Sequence, residues 1–306
     1  MNKEEKIDIS PIPNISKYPF IEAINNKKLA IFLGAGVSKI IGCALWEELA
    51  KNLIKECYEQ KCINFLEKKL LEESTDYKKI IDVCKAILHN YGLEENYYNV
   101  IEKSLEAKNE LQKKYDIYKE ISKLSALFIT TNLDTYLDKN LKKESVFKLE
   151  DLNKDNIYID NIYHIHGSID DPARDWVLTP DQYIARYNKS AIFKDFLKEI
   201  YDNYTILFMG YGMHEFELLD FLVKDGEKPK IEHYLLRPSF NEEENLLKYE
   251  QEYYAKFNVK IIPFSMNANG YNQLYDVVKS WAETIELESS TLADDLTEID
   301  NEINKL

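Results

Sequence analysis

A chain of 306 residues, 45% of them apolar, is long enough for one large or two modest domains and rich enough to bury a core. Its net charge of −15 repels nucleic-acid backbones and disfavours autonomous DNA or RNA binding. No uninterrupted apolar run can span a bilayer, and the polar start MNKEEKIDIS lacks the apolar core of a signal peptide, so a soluble, cytoplasmic protein without membrane contact is expected.

Residues 1–18, with Pro11 and Pro13, read as an extended arm, and Pro19–Asn26 as a short helix leading into the first strand. That strand, Leu29–Leu33, meets Gly34-Ala35-Gly36 and then Val37-Ser38. Strand, glycine turn and helix form an arrangement that cradles phosphate. Glycines let the backbone approach an anion, and the helix N-terminus offers N–H groups and the positive end of its dipole. The third glycine of a GxGxxG fingerprint is missing, since position 39 is Lys39, so a turn that merely packs strand on helix explains this stretch equally well by itself. The helix that follows is read through Leu53, with Leu45, Trp46, Leu49, Leu53 and Ile54 on one apolar face and Trp46 assigned to the core.

Residues 60–124 carry no clear strand. Phe65–Leu71, Tyr77–His89, Asn96–Leu105 and Leu111–Leu124 have helical spacing and read as a helical insertion after the first strand. Cys43, Cys57, Cys62 and Cys84 include no CxxC pair, which points to buried, reduced thiols rather than zinc. A second strand, Ala126–Ile129, ends in Thr130-Thr131-Asn132-Leu133-Asp134. Capping of the helix that runs to Leu141 accounts for one of these polar residues but not for the cluster. At the carboxyl end of a strand in an open α/β sheet, such residues stand where ligands bind.

Val146–Leu149 and Asn161–Ile165 are the next strand candidates. Alternation in Tyr163-His164-Ile165-His166 places the two imidazoles on one face, and Gly167 permits a sharp exit. His166 is a candidate general base, whereas His164 reads as a hydrogen-bonded structural histidine. Without a third ligand the pair is not read as a metal site. Trp176–Leu178 precedes a helix start at Thr179-Pro180-Asp181, with helices expected to Tyr187 and from Ala191 to Tyr201. Thr205–Met209 then runs into Gly210-Tyr211-Gly212 and a helix over Glu215–Val223, a second strand–glycine–helix unit. His233–Leu236 and Val259–Phe264 complete the strands, with helices at Glu242–Phe257 and Tyr271–Glu286. This alternation predicts an α/β fold with a Rossmann-like, doubly wound parallel sheet. The main domain is placed at 19–286. The acidic stretch 287–306 is read as a solvated helix, an oligomer contact or a linker.

Four motifs now stand in order, each at a strand end: GAGVS at Gly34–Ser38, TTNLD at Thr130–Asp134, HG at His166–Gly167, and GYG at Gly210–Gly212. With Gly42-x-x-x-Trp46-x-x-Leu49 and Val177-Leu178-Thr179-Pro180-Asp181-x-Tyr183, this set resembles the sirtuin family, and more closely its divergent bacterial branch in anti-phage defence, over residues 20–285. The resemblance implies NAD as substrate. It puts the backbone of Gly34, Ala35 and Gly36, with Ser38, at the pyrophosphate. Thr131 falls among the binding positions. Asn132 contacts the nicotinamide ribose or places the attacking water, Asp134 lies beside the nicotinamide end, and His166 is the catalytic histidine. Gly210 and Gly212 pass the adenosine half.

Departures narrow the activity. The paired zinc cysteines of deacylating sirtuins are missing, Cys43-Ala44-Leu45-Trp46-Glu47 replaces their proline–acidic–aromatic–arginine run, and Met213-His214-Glu215 is an unusual continuation after Gly212. The implied protein is an NAD+ glycohydrolase without zinc, a defence effector that depletes NAD once activated. It would act as a homo-oligomer or with a partner subunit of helicase/ATPase or Argonaute-like type. The alternatives are a non-catalytic NAD or ADP-ribose sensor and an NAD-dependent protein deacylase.

Overall fold

The computed structural model describes residues 7–159, 161–212 and 231–303, with side chains to residue 288. Seven strands form one sheet: β1 (Leu29–Leu33), β2 (Leu127–Thr130), β3 (Glu144–Val146), β4 (Asn161–His164), β5 (Thr205–Met209), β6 (His233–Ser239) and β7 (Val259–Ser265). Their order is β3-β4-β2-β1-β5-β6-β7, and every neighbouring pair is parallel. A parallel sheet is covered on both faces, which is why β1 reads as an unbroken apolar run and is buried along its whole length. The chain leaves β1 toward β2 on one side and later leaves β5 toward β6 on the other. The carboxyl ends of β1, β2 and β5 therefore flank the point where the winding reverses, the place such sheets bind ligands.

Side chains alternate across β1. Ile31 and Leu33 join one core with Phe128, Leu137, Phe264 and Trp281, and Ala30 and Phe32 join the opposite core with Ile129, Tyr163, Phe196 and Phe208. Helices α1 (Phe20–Asn25), α2 (Ala35–Ile40), α8 (Ile117–Ile121), α9 (Tyr136–Leu141) and α13 (Gln273–Ile303) serve the first core. The second is covered by α10 (Pro180–Tyr183), a π-helical turn at Ile184–Lys189, α11 (Ala191–Asn203) and α12 (Glu244–Ala255). The doubly wound sheet is thus as expected.

The helical insertion differs from expectation at both ends. The helix after the glycine turn does not run to Leu53: it stops after α2, Gly42 takes φ +94, and α3 (Trp46–Glu59) starts afresh. The lobe therefore begins at α3 and continues through α4 (Phe65–Glu72), α5 (Tyr77–Asn90) and α6 (Glu94–Ser104). These enclose their own core around Leu53, Cys57, Ile81, Cys84 and Ile101. The segment read as one helix to Leu124 is two, α7 (Asn109–Lys114) and α8, because the Asp116 carboxylate caps a new start by accepting from the amide of Lys119. Helix α8 packs on the sheet, not on the lobe.

All four cysteines are buried and free. Residues 10–13 of the arm are docked on the domain. The carbonyls of Ser10, Pro11 and Pro13 accept from the Ser265 amide (2.9 Å), the Gln273 amide side chain (3.2 Å) and the Trp281 indole (2.6 Å). Strand β3 lies two residues earlier than expected, β6 and β7 run on to Ser239 and Ser265, and the backbone of α13 continues to Ile303. The helix expected over Glu215–Val223 lies outside the described residues.

The two glycine turns pack on each other. The amides of Gly34 and Gly36 donate to the carbonyls of Met209 (3.0 Å) and Gly210 (2.8 Å). A Cβ on Gly34 would stand 2.6 Å from the Gly210 oxygen and 2.7 Å from the Tyr211 Cα, both backbone atoms that cannot step aside. Gly92, at φ +71, has nothing within 4 Å of such an atom. Overpacking at Gly34→Ala should cost about 1–3 kcal/mol in urea unfolding. Gly92→Asn, a residue that tolerates left-handed backbone, should cost under about 1 kcal/mol. Equal midpoints for the two variants would contradict this packing.

Candidate active site

A cavity of about 750 Å3 opens at the carboxyl ends of β1, β2 and β5, inside the range of about 300–1,000 Å3 typical of small-molecule sites. Its floor is Ala35, Gly36 and Ser38 with Thr131–Asp134 and Gly210–Gly212, and the helical lobe supplies the opposite wall through Trp46, Leu49 and Lys78. Trp46, assigned to the core from its spacing, stands half-buried at the first position of α3, where it packs against two hydrophobic clusters and also lines the cavity, with the Lys78 ammonium 6.0 Å from its ring. Of the predicted residues, Ala35, Gly36, Ser38, Thr131, Asn132, Asp134, Gly210 and Gly212 line this space, whereas Gly34 and His166 do not.

The floor is a closed hydrogen-bond network. The Asn132 amide nitrogen reaches Gly34 O (3.1 Å), Ser38 Oγ (2.9 Å) and Tyr118 Oη (3.3 Å). Ser38 Oγ donates to Asp134 Oδ2 at 2.6 Å, so the Tyr118 hydroxyl, 2.7 Å away, supplies the proton in its bond to Ser38. The Asn132 main-chain N–H donates to Thr130 Oγ1 (2.9 Å), which in turn donates to Leu33 O (3.2 Å). Burial pushes the Asp134 carboxyl above its ordinary value, against the hydrogen bond from Ser38, and burial likewise raises the Tyr118 phenol well above its own. Tyr118 was not singled out in the sequence. It sits in an apolar stripe of α8, 80 residues from Ser38, and no local pattern marks a phenol that closes a network.

These bonds modify the phosphate-cradle expectation. The Gly34 and Gly36 amides are engaged by backbone carbonyls, and the Ser38 hydroxyl is engaged by Asp134. The glycines at this turn permit close approach of two strand exits.

The two histidines do not share a face, because β4 ends at His164 and Gly167, at φ +90, turns the chain away. His164, fully buried, points toward α9. Its Nδ1 is 3.1 Å from Asn132 O, and its Nε2 is 3.0 and 3.2 Å from the two Asp138 oxygens. His166 points to the other side, where its Nε2 lies 2.6 Å from the Tyr187 hydroxyl and its ring meets Tyr183 edge-on at 4.9 Å. Lys78 reaches from the cavity wall to 3.5 Å above the Tyr183 ring. His166 is thus one aromatic layer behind that wall. Burial, then the positive charges of Arg186 and Lys78, hold its imidazole neutral well below the usual histidine range. Among the described residues no group of three or more His, Cys, Asp or Glu side chains is placed to hold a metal ion. No helix among them is long and apolar enough to cross a membrane.

Residues 126–262, which span β2 to β7, match the sequence profile of the SIR2-like domain. The match covers just under half of the chain, and it makes this part of the sheet similar to SIR2-like domains. It is 26% identical over 209 residues to the NAD(+) hydrolase ThsA of Cytobacillus dafuensis, covering 65% of this chain and 38% of that protein. It is 25% identical over 294 residues to the NAD(+) hydrolase ThsA of Enterococcus faecium, covering 85% and 56%. It is 25% identical over 242 residues to defense-associated sirtuin 2 of Bacillus subtilis, covering 76% and 23%. The chain therefore spans between about a quarter and just over half of the length of these relatives.

Seclusion of His166 has a consequence for stability. In the unfolded chain an imidazole titrates near 6.5, whereas the folded protein keeps it neutral to much lower pH. Between those values the unfolded state binds the extra proton, so this contribution is complete above the unfolded pKa and is lost as pH falls below it. From pH 7 to pH 5 the wild type should lose about 2 kcal/mol more stability than His166→Gln, by urea denaturation. Equal losses would place His166 in contact with water.

Proposed function

We propose that this chain is an NAD+ glycohydrolase that breaks the bond between nicotinamide and ribose. The observation that carries the reading is the state of Asn132. Its N–H, its C=O and its amide nitrogen are all held by the protein, while Oδ1 has no partner among the described residues and the side chain lines the cavity. A fixed acceptor in a cleft at the sheet's carboxyl edge can take a hydrogen bond from a ribose hydroxyl or from the attacking water, and it pays no ordering cost at the moment of reaction. Two curated relatives are named NAD(+) hydrolases, which supports NAD as the substrate.

Nicotinamide leaves as a neutral molecule from a cationic pyridinium, so the departure needs little acid catalysis. Charge develops on the ribose in an oxocarbenium-like state, by analogy with glycoside cleavage. Asp134, beside Asn132, supplies a negative end to the floor. Neutral His166 is the base that accepts a proton from water, once the stacked Lys78 and Tyr183 part to admit it to the cavity. The third relative is named a defense-associated sirtuin, which supports a role in defence; we extend the reading to a gated cytoplasmic effector that removes NAD. It would act as a homo-oligomer or with a partner subunit of helicase/ATPase or Argonaute-like type. The seclusion of His166 favours a second reading, a module that binds NAD or ADP-ribose and leaves it intact.

The test is chromatography of NAD after incubation with concentrated protein, with thermal melts to confirm folding. Wild type should release nicotinamide, and Asn132→Ala and His166→Ala should each lose about a hundredfold or more in turnover. Wild-type turnover in either variant refutes the role given to that residue, and bound but intact NAD supports the sensor.

A further inference from the structure

Carbonyl oxygens carry no proton, so the 3.1 Å contact between His164 Nδ1 and Asn132 O requires a hydrogen on Nδ1. At the other end of the ring, Nε2 faces both oxygens of Asp138, which also accepts from the Ser145 hydroxyl. A second proton must lie in that contact. The side chain of Asp138 is 12% exposed and that of His164 is not exposed at all, so the pair is shielded from water. The ionisable groups facing the ring are Asp138 from α9 and Asp134 from the β2 exit, both acidic. Burial alone would lower the imidazole and raise the carboxyl, yet the Asp138–His164 bond and charge outweigh it on both sides. His164 is held above and Asp138 below its ordinary range.

We propose that His164, kept doubly protonated by Asp138, is a positioning residue that clamps the main-chain carbonyl of Asn132 and so aims the Asn132 side chain into the cavity. The proposal rests on the reading of Asn132 as a catalytic group and deepens it. His164 touches neither the cavity nor a substrate; it acts through Asn132 alone. The clamp opposes the three bonds on the Asn132 amide nitrogen across the same residue, so the loop is held from main chain and side chain at once. The required element is an N–H at the Nδ1 position, not the imidazole itself.

Two substitutions separate these. His164→Asn places an amide N–H where Nδ1 stands, and His164→Gln places it where Nε2 stands. NAD turnover should fall within about tenfold for His164→Asn and about a hundredfold or more for His164→Gln, with KM within about threefold for both. Equal losses in the two variants would overturn the clamp.

A spectroscopic arm is independent of turnover. In 15N-histidine spectra at pH 8, where an ordinary imidazole is neutral, His164 should show both nitrogens protonated, and Asp138→Asn should abolish that state. The Asn132 side-chain amide resonances should stay in place in His164→Asn and move in His164→Gln. A neutral His164 at pH 8, or Asn132 signals indifferent to both variants, overturns the proposal even if the protein cleaves NAD. A wild type that leaves NAD intact while His164 and Asn132 behave as stated overturns the enzymatic reading and keeps the clamp.

Discussion

The bond from the Asn132 amide nitrogen to Gly34 O ties the exit of β2 to the exit of β1, and the Gly36 amide ties β1 in turn to Gly210 at the exit of β5. Three strand ends that are adjacent in the sheet are thereby drawn to one place, although Gly34 and Asn132 alone stand 98 residues apart in the chain. The rest of the site follows from that junction. Glycine is needed where the turns meet, since a Cβ at Gly34 would strike the backbone of the neighbouring exit. Polar side chains follow β2 because their hydrogen bonds close the gap that the strands leave. The cavity forms where the junction stops and the helical lobe bridges over it.

Charge is distributed unevenly around this junction. Asp134 and Tyr118 lie in the floor, where burial penalises their charged forms. Against burial, the Asp138 carboxylate holds His164 above the ordinary imidazole range, whereas burial and then two cations hold His166 well below it. Two imidazoles two residues apart are thus shifted in opposite directions. The reason is the turn at Gly167, which sends them to different cores of the same sheet.

Much of this was legible in the sequence. An apolar pentapeptide followed by Gly-Ala-Gly marks a buried parallel strand and its exit, and the polar run after β2 lines the cavity at that sheet edge. What was not legible is long-range. Trp46 has the spacing of a core residue and does pack on two cores, but its second role as cavity lining is not marked by that spacing. Tyr118 belongs to an apolar stripe in every local respect. The histidine alternation failed because period-two reasoning holds only inside a strand, and β4 stops at His164. The amides of Gly34 and Gly36 looked free for phosphate in a one-dimensional reading, and a second glycine turn from β5 takes them.

The central claim is that the nicotinamide riboside end of NAD is held against Asn132 at this junction. A crystal structure of the His166→Ala protein with NAD bound tests it most directly. The account predicts a ribose hydroxyl, or a water beside the ribose C1′, within hydrogen-bond distance of Asn132 Oδ1. Nicotinamide riboside bound elsewhere, with Asn132 facing the adenine half or no ligand at all, would contradict it.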